Sequence, residues 1–355
     1  MVDAGGSRVT GMSVGFFVRC AVALATLLVA APGAAQARVR RVPDRYATIQ
    51  AAVGAADAGD VIEVGPGRHC GATIDRPVDL QGHGHATIIG CADGPVLSNG
   101  VRAGFRLPGA DGTSAASGTH IEGFTFDGRG VSAANLEPLG VGIIATFAND
   151  VRVERNRILG TVQGITNTGG DRWVIVHNVI DDLGVFDCTG ALCGGGDGIV
   201  IQVSAAAPDS RPQRNFVAGN VVSGTIPDGF GAFSMVGVFV FAADGTVVTR
   251  NRLSIPDNPN ADAIGQGVLV DNSCCGQPAV TPGARGTVVT LNDARASEIG
   301  VEVDGTGGEN SEGLVVFGNL GPVVVEGTLI DDGGPRPRRG FVPGRHLPHR
   351  RIFCD

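Results

Sequence analysis

The chain contains no lysine. All 27 basic residues are arginine, and 35 acidic residues outnumber them, for a formal net charge of −8. That balance argues against a nucleic-acid partner. It also gives no help in holding an acidic polymer unless local arginines or a metal ion compensate. Aromatic residues make up only 5% of the sequence. With 57 glycines among 355 residues, this suits a turn-rich β structure with small inward side chains. Beyond the first few dozen residues no apolar run is long enough to span a bilayer, which excludes a membrane helix there. No paired C-x2-C spacing occurs, which speaks against a structural zinc site.

What is present is a repeat. VGIIATFANDVRVERNRI is followed by QGITNTGGDRWVIVHNVI, with Gly164-Ile165 placed 22 residues after Gly142-Ile143. Asn156 and Asn178 each follow their Gly by fourteen residues. A period near twenty, rich in β-branched residues and without helical periodicity, indicates a parallel β-helix whose coils bury their apolar face only by stacking. Further copies are spread by insertions. Gly recurs at Gly198, Gly237, Gly267 and Gly300, and Asn at Asn220, Asn251, Asn292 and Asn319. Three residues before each Asn stands a β-branched residue: Val153, Ile175, Val217, Val248, Val289 or Val316. The Asn column is read as a structural ladder at a bend, amide bonded to amide from coil to coil.

The N-terminus has the layout of an export signal. Arg19 precedes an apolar run from Cys20 to Ala31, and Ala35-Gln36-Ala37 gives a small-x-small cleavage pattern. Domain boundaries are accordingly expected at 1–37 for a signal peptide, 38–330 for the β-helix and 331–355 for an Arg/Pro-rich tail. The expected location is extracellular or in the cell envelope, with no membrane attachment after cleavage and a monomeric state. In such an oxidising compartment the cysteines are disulfide candidates. Cys70 and Cys91 are 21 residues apart, almost one coil, which brings them within bonding reach. Cys188 is matched with Cys193, and Cys274 or Cys275 with Cys354. Residues 38–47 read as a linker. Ile49, Ala52, Val53 and Ala56 share one helical face and predict a short helix capping the first coil. His83 and His85 fall in a turn.

The run YATIQAAVGAADAGDVIEVGPGRHCGATIDRPVDLQGHGHATIIG, together with IEGFTFDG and the V-x-x-N-x-I repeats, resembles the secreted right-handed β-helix proteins of the pectin-lyase-like superfamily. The resemblance spans roughly residues 45–330. It implies an all-β, right-handed, single-stranded parallel β-helix. It does not imply one activity, because that superfamily includes polysaccharide lyases, glycoside hydrolases, epimerases, esterases and proteins without known chemistry. The activity motifs of polygalacturonases, pectate lyases and the epimerases are not matched here.

Insertions cluster on both edges of the strand that begins at each Gly, and long insertions commonly mark a binding face. Alternation along that strand points Thr166, Val200, Gln202, Phe239, Phe241, Leu269, Asp271, Glu302 and Asp304 outward, with Asp197 beside them. Asp271 and Asp304 share a column on adjacent coils, and Glu302 lies two residues from Asp304. Close carboxylates raise one another's pKa toward that of a general acid, as glycoside hydrolysis needs. Asp271, Asp304 and Glu302 are therefore the candidate catalytic residues, and Phe239, Phe241, Gln202 and Asp197 the candidate sugar contacts. No resident cofactor is expected, although Ca²⁺ at the acidic cluster would suit uronate lyase chemistry. The two Asp also read as ordinary turn openers, and the two Phe as packing beneath loops. A second polar column, with Arg155, His177 and Arg250 before ladder Asn residues and Arg157 and Arg252 after them, reads as acidic-sugar contacts or as solvated arginine. The functional expectation is a protein binding or cleaving an extracellular polysaccharide along the Gly-strand face; the alternative is a non-catalytic binding or surface module.

Overall fold

The computed structural model describes residues 37–187, 193–204, 207–231, 233–271, 283–303 and 313–325. The chain winds as a right-handed parallel β-helix with three long sheets of ten, nine and seven strands. Every long-range pairing within these three sheets is parallel, as in the pairings on either side of Gln163–Thr168. The ten-stranded sheet runs from Val39–Val42 to Val315–Phe317 and leads into the Asn bend. The seven-stranded sheet leaves that bend, and the nine-stranded sheet carries the Gly strands.

The repeat predicts the register correctly. Ile143, Ile165, Ile199, Val238, Val268 and Val301 pair in one unbroken column. Val153, Ile175, Val217, Val248, Val289 and Val316 form another. All but Val316 of these are fully buried in the main core, because only stacking removes such side chains from water. The Gly column has a steric cause. A Cβ on Gly142, Gly164, Gly198, Gly237 or Gly267 would fall 2.4–2.6 Å from the carbonyl oxygen of the next glycine in the column. The stack closes that tightly only where no side chain intervenes.

The six asparagines form a continuous ladder. Each Nδ2 donates to the Oδ1 of the next: Asn156 to Asn178 at 3.1 Å, Asn178 to Asn220 at 3.1 Å, Asn220 to Asn251 at 3.0 Å, then Asn251 to Asn292 and Asn292 to Asn319 at 2.9 Å. The same Oδ1 also accepts the backbone N–H of the preceding ladder residue. The residue before each Asn turns through the left-handed region: Arg155, His177, Gly219, Arg250, Leu291 and Gly318 have φ between 53° and 64°. A bend leaves backbone groups without sheet partners, and the buried amides satisfy them.

The capping helix is Ile49–Ala55. Thr48 caps it, its Oγ1 accepting the Ala51 N–H at 3.1 Å, and Ile49, Ala52 and Val53 are its buried face. One expectation fails just ahead of it. Val39–Val42, read as linker, is a strand paired with Val61–Val64. Its sequence, Val-Arg-Arg-Val, hides an inward position behind a charge. Arg40 is buried because Asp60 receives its guanidinium at 2.6 and 2.8 Å and Tyr46 Oη accepts from it at 2.7 Å, so the buried charge is both paired and hydrogen-bonded. Cys70 and Cys91 form the expected disulfide, with Cα atoms 5.5 Å apart. The proposed pairings of Cys188, Cys274, Cys275 and Cys354, and the tail 331–355, lie outside the described residues.

Candidate functional site

The Gly-strand residues point as alternation requires. Gln202, Phe241 and Asp271 share one outward column, and Val200, Phe239, Leu269 and Glu302 the next. Asp304 lies outside the described residues, so the paired carboxylates reduce here to Asp271 alone in its column. Among the described residues the expected open groove floor is not found. Every residue of Gln163–Thr168, Asp197–Gln202, Ser234–Phe241 and Ile264–Asp271 is buried on both faces of the sheet. The physical reason is compositional. The outward residues Val200, Phe239, Phe241 and Leu269 join Val203, Val236 and Ala242 in an apolar cluster separate from the coil interior. Phe239 and Phe241 lie parallel, 6.0 Å apart, and present no open ring face to a sugar. Nearer the N-terminus, outward Val141 and Ile144 pack with Phe186, padded by Leu97, Val131 and Leu136. Inserted loops expected to wall a groove act there as its roof.

Four polar side chains of this face pair within it. Gln202 Nε2 donates to Thr168 Oγ1 at 3.1 Å, and Thr166 Oγ1 to Gln163 Oε1 at 2.8 Å. Asp197 and Asp271 are buried. Glu302, which is partly exposed, accepts a short hydrogen bond from Gln266 Nε2. His83 and His85 lie in the exposed turn expected of them.

A second polar constellation, not anticipated from the sequence, occupies the outer face of the ten-stranded sheet. Three aligned triplets supply it: Asp79-Leu80-Gln81, His120-Ile121-Glu122 and Arg152-Val153-Glu154. The middle residue of each points inward and the flanking pair outward. His120 stands between two coils, with Nδ1 3.1 Å from Asp79 Oδ1 and Nε2 3.1 Å from Glu154 Oε1. Gln81 Nε2 donates to Asp79 Oδ2 at 2.8 Å. Arg152 donates to Glu154 Oε2 at 2.5 Å, and Arg155 donates to Glu154 Oε1 at 3.0 Å and, in a shorter contact, to Glu122. The Arg152 guanidinium holds the Glu154 carboxyl below the usual carboxylate range, against the opposing effect of burial, with Arg155 and His120 adding to it. Ligand atoms of Asp79, His120 and Glu122 lie within 4.8 Å of one another. Of the arginine column expected beside the ladder, Arg155 belongs to this network. Insertions place the three triplets about 41 and 32 residues apart in sequence, which conceals the alignment. The visible signal was the polar–apolar–polar triplet centred on each inward residue.

No family model matches the chain, and no curated protein matches it. Solved structures do. An alginate lyase from Paenibacillus sp. str. FPU-7 shares 16% identity over 82% of this chain and 99% of its own, with a TM-score of 0.48. PfbA, a surface adhesin of Streptococcus pneumoniae, shares 11% over 81% of this chain and 76% of its own, also at 0.48. The A-module of the mannuronan C-5 epimerase AlgE6 of Azotobacter vinelandii shares 18% over 81% of this chain and 95% of its own, at 0.32. In architecture the chain is a parallel β-helix. Likenesses of this degree carry no argument about activity or ligand. No described helix is long and apolar enough to cross a membrane.

Proposed function

We propose that this chain is a non-catalytic extracellular β-helix that binds an extended polysaccharide on its surface. The observation that carries the reading is the burial of the Gly-strand face from Gln163 to Asp271, which leaves those strands no open floor on which a chain would be cut. The shape supports a polymeric ligand. The outer face of the ten-stranded sheet displays its side chains in straight columns one inter-strand step apart, ~4.8 Å, and an extended glycan presents groups along a line. Partly exposed Arg152 and Arg155 supply planar donors suited to carboxylate or hydroxyl groups.

The test uses the secreted-form protein against a panel of uronic and neutral polysaccharides. Pull-down measures retention, and product analysis watches for unsaturated uronates and new reducing ends. Retention without depolymerisation is the expected result; depolymerisation of any panel member overturns the non-catalytic reading. One observation favours a second reading. Glu302 is partly exposed opposite Leu269, two positions before buried Asp271 along the neighbouring strand, at the C-terminal end of the Gly-strand face. Were cleavage detected, its loss in Glu302→Gln, Asp271→Asn or Asp304→Asn, with thermal stability retained, would assign it to the acidic cluster, with or without Ca²⁺.

A further inference from the structure

Asp79, His120 and Glu122 bring one ligand atom each within 4.8 Å of one another. Glu154 lies between two guanidinium groups, so it is ionised and can only accept. The His120 nitrogen facing it, Nε2, must therefore carry the proton of that hydrogen bond. His120 Nδ1 is directed at the coil below. There it meets Asp79 Oδ1, 3.1 Å away. Asp79 Oδ1 is buried and has no hydrogen-bond partner, so the close approach is not a hydrogen bond. The ring nitrogen and the Asp79 oxygen thus face each other across two coils, and that oxygen accepts no hydrogen bond. Two atoms bound to one metal at about 2.0–2.2 Å are separated by a distance of this order.

The outer partners fit the same picture. Each candidate ligand is held from behind by a different residue: Asp79 through its other oxygen by Gln81, His120 through Nε2 by Glu154, and Glu122 by Arg155. Oriented carboxylate–histidine pairs of this kind surround metal ions. We propose that Asp79, His120 and Glu122 form a divalent transition-metal site on the outer face of the ten-stranded sheet. One imidazole with two carboxylates suits Zn²⁺ or Mn²⁺, whereas Ca²⁺ takes oxygen ligands alone. Bound there, the ion ties the coil carrying Asp79 to the coil carrying His120 and Glu122.

The experiment titrates Zn²⁺ into chelator-stripped full-length protein by calorimetry, with Co²⁺ absorption as a second probe. Parallel titrations use Asp79→Asn, His120→Ala and Glu154→Gln, and also the His83→Ala/His85→Ala double variant. Melting curves in chelator establish that each variant folds. The expected result is one binding step that Asp79→Asn and His120→Ala abolish. Glu154→Gln should weaken it roughly 10- to 100-fold by releasing the imidazole, and the turn double variant should leave it intact. A Zn²⁺-dependent rise in melting temperature should disappear with the same two variants. The proposal is overturned if the parent protein takes up neither ion, or if folded His120→Ala binds as the parent does, which would mean an ion-pair network only.

Discussion

The first coils and the later ones meet the same bend with opposite chemistry. From Asn156 onward the bend between the ten- and seven-stranded sheets is filled by stacked amides. One coil earlier, the residue in register with Asn156 is Phe124, whose backbone N–H donates to Asn156 Oδ1 at 3.0 Å and ends the ladder. At that coil the inward residues Phe124 and Phe126 are aromatic, and one coil below, the bend is the exposed turn of His83 and His85. Phe105 stands edge-on to Phe124 at 5.2 Å and to Phe126 at 5.3 Å, and Cys70–Cys91 staples the neighbouring coils. A polar ladder satisfies backbone groups through side chains; an aromatic cluster excludes water and adds ring contacts. The shared backbone path shows that the winding does not depend on either chemistry. It depends on the inward columns and on the glycines that allow close stacking.

The contrast can be broken from either side. The largest effect is expected from Phe124→Ala, which leaves a cavity in the aromatic cluster and should cost about 3–5 kcal/mol in urea unfolding. A loss below ~1 kcal/mol would mean that the first coils do not rest on these rings. Replacing both Cys70 and Cys91 by Ser opens a loop of 21 residues and should cost about 3 kcal/mol, a loss that reducing agent reproduces in the parent protein. Asn220→Ala removes an acceptor from two donors of Asn178 and a donor from Ile175 O and Asn251 Oδ1. A cost of about 2–3 kcal/mol is expected, and an unchanged unfolding midpoint would deny the ladder its stabilising role. The smallest effect concerns pH. Because the folded-state pKa of Glu154 is depressed, its contribution is complete above the ordinary glutamate range, about 4.3, and is lost as pH falls through the depressed value. Glu154→Gln should therefore lose less stability than the parent between pH 7 and pH 3, and parallel acid profiles would sink that assignment.

Much of the scaffold was legible in the sequence because it repeats. Six Asn, six Gly and two β-branched columns announce one register, and each is where alignment by spacing puts it. Val39–Val42 was not legible, since Arg40 breaks the apolar alternation and its partner Asp60 lies 20 residues away. Of the candidate site, the sequence revealed direction but not cover. Alternation shows that Phe239 and Asp271 leave the coil interior, but it cannot show what lies over them. The Asp79–His120–Glu154 arrangement escaped notice for a different reason. Its members are 41 and 34 residues apart and sit on coils whose register the early insertions disguise.

The amide ladder has a consequence for how such a molecule changes size. Each rung offers the same acceptor downward and the same donor upward, so a new rung fits anywhere between two old ones. The segment from Asn156 to Asn178 spans 22 residues and contains one complete set of bends. Duplicating such a block in the gene would lengthen the rod by one step, ~4.8 Å, without asking any existing contact to change its kind. Length is then open to evolutionary adjustment in whole turns, while insertions at the corners remain available to decorate each turn separately.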